Sequence, residues 1–461
     1  MTQPVDPGKP ESRPRGMMAF TLIWFGQVVS LIGSAMSGFA ITIWAWQEYN
    51  SATILAIVGV CTWVPGLIFS PFAGAFVDRW NRKLVMMLSD LVSGLTTVGV
   101  LIIYLNGNLQ IWQLCVAGAI SGIFQSFQWP AYSAAISVMI PKKQFARANG
   151  MMSMAEWGSG IFAPVLAGAL IASIGLQGIL LIDIATFIFA VSTLFFIYIP
   201  PTPVSADGEN SKASIWEEAL YGFKYIYHKT SLLLLQLIFA AGNLMASWAA
   251  ILMAPLILSK TNNNAATFGL VESAAALGGI LGSSLITAWG GPNKKIIGVL
   301  GGWVLSGFLG YFIIGIGKTL PIWLVGAFFG SFFGPVVNSS NQAIWQSKVP
   351  PDIQGKVFSV RRIIAQITGP VGILLAGPLA DQVFEPAMQS NTALAATFGA
   401  YFGNTAGSGI ALMIALAGLV IGIVGISGFF IDKVYRVETL LPDFDDVKSK
   451  NPAAAGSPAG S

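Results

Sequence analysis

Long apolar runs alternate with short polar connections along almost the whole chain. The runs cover 18–46, 52–77, 84–105, 109–139, 150–173, 177–199, 232–258, 266–289, 296–316, 320–346, 357–380 and 408–431. A helix needs about 20 mostly apolar residues to cross a bilayer. The pattern therefore predicts twelve membrane-spanning helices and little structure between them. Interior prolines such as Pro65, Pro130, Pro164, Pro255, Pro335 and Pro370 do not remove these helices, because packed neighbours satisfy the freed carbonyls. The run that follows Arg15 is too long for a signal-peptide core and has no small-residue cleavage site, so it reads as the first span.

Composition agrees with the pattern. The 461 residues are 54% apolar and only 10% charged, whereas a soluble domain carries about a quarter charged residues. A membrane protein is the class that fits. With the N-terminus in the cytoplasm, every Lys and Arg except Lys260 and Lys318 falls on the inner side. By the positive-inside rule both termini are cytoplasmic. The net charge of +4 follows from that placement and calls for no nucleic-acid partner.

Several chemistries find no residues to carry them. Cys61 and Cys115 sit inside apolar runs and read as buried free thiols. The single histidine, His228, reads as the polar edge of a helix and makes no metal site alone. There is no HExxH, no paired cysteine ligands and no Ser/His/Asp set. The GKT at 317–319 is not a phosphate loop, because Phe312 stands where that motif needs glycine. The sequence thus predicts neither an enzyme nor a cofactor or metal. A monomer is sufficient.

The chain divides by composition. Residues 1–17 form a polar, Pro-rich cytoplasmic lead. Residues 200–231 form a cytoplasmic linker that opens PPTPVSADGENSK. Its second part carries a capping box at Ser214 and Glu217, with Ile215, Trp216, Ala219, Phe223 and Tyr227 at helical spacing. That part predicts a short amphipathic helix on the inner membrane face. Residues 432–461 form a cytoplasmic tail, expected to be mobile beyond Tyr435.

The two parts on either side of the linker repeat each other. GAISG at 118–122 matches GAFFG at 326–330, Arg147 matches Lys356, Gly160 matches Gly369, and LAG at 166–168 matches LAG at 375–377. NRK at 81–83 follows span two, and NKK at 293–295 follows span eight. The fold class expected is an all-α membrane protein of twelve transmembrane helices in two pseudo-symmetric six-helix bundles, 18–199 and 232–431. Parallel repeats of this kind belong to transporters with a site at the interface of the halves.

Four carboxylates lie within the predicted spans: Asp90, Glu156, Asp183 and Glu272. A charge at the bilayer centre costs about 2.5–3.5 kcal/mol on insertion scales, so each is a candidate for function. A carboxylate removed from water favours its neutral form, as proton exchange between the two faces requires. Glu156 is the first choice and Glu272 the second, each beside small residues that allow close helix packing. Asp90 lies near Arg82 and Lys83 in sequence, and a pairing with either is its bland alternative.

Charge is concentrated at 74–83, GAFVDRWNRK. Arg79, Arg82 and Lys83 hold this loop inside, but topology alone would not require Gly74 or Asp78. The stretch resembles the signature loop between spans two and three of the major facilitator superfamily: Gly74, Asp78, Arg79 and the Arg82–Lys83 pair match in order. WFGQVVSLIGSAM (24–36), PKKQFARANG (141–150), VPPDIQGKVFSV (349–360) and GPLAD (377–381) are together similar to the macrolide-efflux branch of that superfamily.

The resemblance implies the major facilitator fold in a bacterial cytoplasmic membrane. It implies that the loop is a gating latch facing span eleven, where Arg361 and Arg362 enter the helix. Span five resembles the antiporter motif at Pro164, Ala167 and Gly168, with Ser159 and Ala163 in place of glycines. Span four lacks the arginine often found in the family; Ser121 stands about there. Spans one, four, seven and ten line the cavity in this family. They carry Trp24, Gln27, Gln128, Trp129, Asn243, Trp248, Asn338 and Asn341, and aromatic and amide groups of this kind suit a bulky amphipathic molecule.

The leading function is proton-driven export of an amphipathic compound such as a macrolide. Export of an endogenous siderophore or peptide, a passive facilitator or importer, and a non-transporting scaffold or receptor are the alternatives.

Overall fold

The structure, a computed structural model, describes residues 16–79, 81–140, 144–197, 223–350, 353–390 and 392–441. Gly74 and the side chains of Asp78, Arg79 and Trp129 lie outside the described residues, apart from their places in helices. So do the expected capping box at Ser214 and Glu217, the lead over 1–15, and the tail from 442.

Every regular element described is helical. In the first part these are α1 (Gly16–Tyr49), α2 (Ala52–Arg79), α3 (Arg82–Leu105), α4 (Ile111–Met139) and α5 (Phe145–Phe196). A short helix, α6, covers 223–228. Then come α7 (Thr230–Lys260), α8 (Ala265–Trp289), α9 (Lys295–Ile316) and α10 (Leu320–Lys348). The last part holds α11 (Gln354–Leu379), α12 (Ala393–Phe402), α13 (Ser408–Phe430), α14 (Asp432–Tyr435) and α15 (Val437–Leu440).

Among the described residues, ten helices are long and apolar enough to cross a membrane. One of them, Gly150–Phe196, runs for 47 residues, more than twice the length one crossing needs. It lies in α5, which breaks at Gly175, with φ 65° and ψ −175°. This is a backbone conformation essentially reserved for glycine, and it falls between the fifth and sixth expected spans. With α5 divided there and α4 added, the helices are consistent with the twelve expected spans.

Local chemistry sets several helix ends. Asn81, inside the charged loop, starts α3: its Oδ1 accepts the amides of Lys83 at 3.0 Å and Leu84 at 3.3 Å. Asn264 starts α8 by accepting the Thr267 amide at 3.0 Å, and Gly290 ends it in the left-handed conformation. π-Helical turns interrupt α9 at Ser306–Phe312 and extend α11 through Ala380–Phe384. The inserted residue shifts the facing side chains.

Close packing uses small residues. A Cβ at Gly278 or Gly282 of α8 would run into the carbonyls of Phe328 and Phe332 in α10. Without a hydrophobic force between helices in lipid, this close approach and its dispersion contacts hold them together.

The chain forms two compact units. One holds residues 1–41 and 61–208, the other 42–60 and 209–461. The first has a core of Phe20, Ile23, Met86, Ala135 and Leu194. The second packs Leu235, Val299, Trp345, Val357, Val434 and Val437.

Two expectations are corrected. The chain beyond Tyr435 is docked as far as Leu441. Val437 is fully buried, the Glu438 carboxylate accepts the Lys295 and Ile296 amides at the start of α9, and Lys348 Nζ donates to the Glu438 and Leu441 carbonyls. Span eleven also does not stop at 380. The helix continues through the π turn to Gln389, and α12 follows. Asp381 and Glu385 end the apolar run in the sequence, but their carboxylates are taken up by neighbouring backbone amides.

Candidate functional site

Three of the expected site residues meet in the first unit. Asp90 of α3 is 5% exposed. Its Oδ2 accepts Gln27 Nε2 of α1 at 2.8 Å, and its Oδ1 accepts Gln128 Nε2 of α4 at 2.5 Å. Gln128 Nε2 also donates to Gln27 Oε1 at 2.9 Å. One carboxylate and two amides thus link three helices.

A second carboxylate makes a similar junction. Asp183, on the second arm of α5, is 3% exposed. It accepts Ser34 Oγ of α1 and Thr97 Oγ1 of α3, both at 3.0 Å. Gln27 and Ser34 are seven residues apart on α1, as Asp90 and Thr97 are on α3. Seven residues make two helical turns, about 10.5 Å along the axis. The two junctions therefore use the same faces of α1 and α3 at two levels. A buried carboxylate is tolerated only when hydrogen bonds replace its lost hydration, and here the sequence supplies them at helical spacing.

Asp90 does not use Lys83. Lys83 Nζ donates to the carbonyls of Phe195 at 2.9 Å and Ile197 at 2.7 Å. These lie at the C-terminal end of α5, where a cation is favoured. Ser121, expected from the sequence to stand about where the family often has an arginine, shares a 2.8 Å hydrogen bond with Thr96, joining α3 to α4.

The two glutamates differ from the aspartates. Glu156 is exposed on α5, and its backbone carbonyl accepts Ser159 Oγ at 2.7 Å. Glu272 is half-buried on α8, with Tyr311 of α9 within electrostatic reach. Among the described residues neither carboxylate has a hydrogen-bond partner. Pro164 is half-buried, and Ala167 and Gly168 are buried, about two to three turns further along α5.

The expected cavity residues fall into different settings. Trp24 Nε1 donates to the Met151 carbonyl at 2.7 Å, tying α1 to α5. Asn243 and Trp248 are half-buried on α7. Asn338 is exposed and donates to Gly334 of its own helix at 3.0 Å. Asn341 is fully buried, and among the described residues neither its Nδ2 nor its Oδ1 has a partner. Near the start of α11, Arg361 Nη1 donates to Gln342 Oε1 at 2.7 Å, and the guanidinium lies over the Trp345 ring at 5.3 Å. Arg362 is exposed. Cys61 and Cys115 are both free thiols and half-buried rather than buried.

Sequence reading missed Ser34 and Thr97 because isolated hydroxyls within a span look ordinary. Their distance of seven residues from Gln27 and Asp90 was the available signal.

Comparison with known proteins places these helices in context. A profile of the Major Facilitator Superfamily matches residues 23–373. The chain is 24% identical over 371 residues to macrolide efflux protein A of Streptococcus pyogenes, spanning 79% of this chain and 90% of that protein. It is 26% identical over 372 residues to the multidrug efflux pump Tap of Mycolicibacterium fortuitum, spanning 76% and 87%. In fold it is similar to a bacterial homologue of the human lysosomal transporter Spinster, with a TM-score of 0.63 at 16% identity over 89% of this chain and 96% of that one. The nucleoside transporter NupG gives 0.61 at 12% identity over 89% and 99%.

Proposed function

The chain belongs to the Major Facilitator Superfamily, and from that premise we propose that it is a proton-coupled exporter of a bulky amphipathic compound, macrolide-like in character. It is a multi-pass membrane transporter with the two-bundle fold of that superfamily. In this reading it sits as a monomer in a bacterial cytoplasmic membrane, with both termini inside. Its halves, 18–199 and 232–431, move about the linker to expose the substrate to each side in turn.

The observation that carries the coupling is the contrast among the four embedded carboxylates. Asp90 and Asp183 are buried and saturated by side chains from neighbouring helices. Glu156 is exposed and Glu272 half-buried, and described residues donate no hydrogen bond to either carboxylate. A proton carrier has to meet water and release its proton without dismantling a helix junction. The two glutamates suit that task, with Glu156 first and Glu272 second. The aspartates act as positioning groups that keep α1, α3, α4 and α5 in register.

The direction and chemistry of the cargo draw on the relatives, whose names are those of macrolide and multidrug efflux proteins. Trp24, Gln27, Gln128, Trp129, Asn243, Trp248, Asn338 and Asn341 supply the aromatic and amide groups for such a cargo. The stretch from Gly74 to Lys83, where α2 ends and α3 begins, with Asp78 and Arg79, latches the inner side against the region of Arg361 and Arg362. Uptake of a labelled macrolide into energised inside-out vesicles tests the reading. Accumulation that collapses with a protonophore supports it; equal uptake with and without a proton gradient contradicts it.

A further inference from the structure

Span eleven reaches past the apolar run and carries two carboxylates four residues apart, Asp381 and Glu385. Each caps the start of another helix. Asp381, in the π turn Ala380–Phe384, accepts Ser51 Oγ at 2.6 Å, the Ala52 amide at 3.0 Å and the Thr53 amide at 2.9 Å. Glu385 accepts the Ile410 amide at 2.9 Å and the Gly407 amide at 3.1 Å. The first amides of any helix lack partners in their own helix, and a carboxylate there also meets the positive end of the helix dipole.

The two caps differ in what they hold. Glu385 binds the start of α13, the next span in the same half of the chain. Lys260 Nζ strengthens that corner by donating to Ser408 Oγ at 2.9 Å. Asp381 binds the connection between α1 and α2, which the sequence assigns to the first six spans. Residues 42–60 nonetheless belong to the compact unit that contains 209–461. Backbone packs on backbone beside the cap. A Cβ at Gly377, one turn before Asp381, would lie 2.6 Å from Thr53 Cα and 3.0 Å from the Ala52 carbonyl oxygen.

We infer that Asp381 is a positioning residue, the releasable clasp that holds the outer ends of α1 and α2 against span eleven. Outward opening of an alternating-access carrier separates the first six spans from the last six on this side. The three hydrogen bonds of Asp381 must then break, while those of Glu385 stay. The inference rests on the alternating-access reading above.

The test uses the full chain in lipid nanodiscs, with Cys61→Ser and Cys115→Ser, and spin labels at Glu48→Cys and Thr397→Cys. Both labelled positions are exposed and lie in the same unit as the clasp. Pulsed electron resonance reads their distance distribution. Asp381→Asn raises the ratio of long to short distances about tenfold or more, since a hydrogen bond to a charged group is worth at least that factor. Ser51→Ala shifts it the same way by less, and carries the test if Asp381→Asn does not fold. Glu385→Gln leaves the distribution in place.

A wild-type chain with two distances that neither Asp381→Asn nor Ser51→Ala redistributes overturns the clasp alone. A wild-type chain with one distance at every pH, with and without erythromycin, overturns alternating access and the clasp with it.

Discussion

Gln27 donates its side-chain amide to Asp90 at 2.8 Å, joining α1 to α3 at a carboxylate that is 5% exposed. Two turns along the same helix faces, Ser34 and Thr97 meet Asp183. The first unit is therefore tied by two buried carboxyl groups, each held by hydrogen bonds from two neighbouring helices. Removing one donor from such a site leaves a buried acceptor with an uncompensated desolvation cost.

Gln27→Leu and Gln128→Leu should each destabilise the purified protein by about 1–3 kcal/mol, the cost of leaving a buried acceptor unsatisfied. The double variant should not lose the sum, because both amides serve one carboxylate. Thermal unfolding in detergent checks this; strict additivity would contradict the shared junction.

Asn341 presents the opposite case, a fully buried amide with no partner among the described residues for either polar atom. Replacing an unsatisfied polar group by an apolar one of similar shape relieves a penalty of about 1–3 kcal/mol. Asn341→Leu should raise the melting temperature. If the amide serves the substrate, export falls at the same time. A lower melting temperature would mean that the amide is already satisfied in the folded protein.

Gly175 breaks the long apolar helix at φ 65°. Any side chain there is strained by about 1–3 kcal/mol. Gly175→Ala should reduce the amount of folded protein recovered from membranes, read by size-exclusion profile, whereas Gly150→Ala, at a helical position with open space around it, should not.

Glu438 anchors the docked tail to the first amides of α9. Losing a helix cap costs about 0.5–2 kcal/mol, so Glu438→Ala should destabilise the protein by that amount and lower its unfolding midpoint. Protease digestion of intact protein should then cut after Arg436 sooner. Unchanged cleavage would show that Val434 and Val437 hold the segment without the carboxylate.

The helices were legible in the sequence because hydropathy in a bilayer leaves few alternatives: 84–105 was expected and Arg82–Leu105 is found. Even the break near 175 was legible, since a 47-residue apolar run has to divide. The C-terminal end of span eleven was not. Asp381 and Glu385 look like loop residues until a partner some 330 positions away, Ala52, supplies the amide that one of them caps. The tail failed for a similar reason: Val434 and Val437 are ordinary valines until they are seen to be fully buried. Of the site, residue types were legible and pairings were not. Gln27, Asp90 and Gln128 were separate candidates for different roles, and only packing of α1, α3 and α4 brings them to one point.

Proton flux tests the central claim most directly. Energised inside-out vesicles carrying the protein receive a macrolide while a dye follows the pH gradient. The account predicts macrolide-dependent dissipation that disappears in Glu156→Gln and persists in Glu385→Gln. Full dissipation by a well-expressed Glu156→Gln protein would contradict the assignment of the carrier, and dissipation in neither wild type nor variant would contradict proton-coupled export of this compound class.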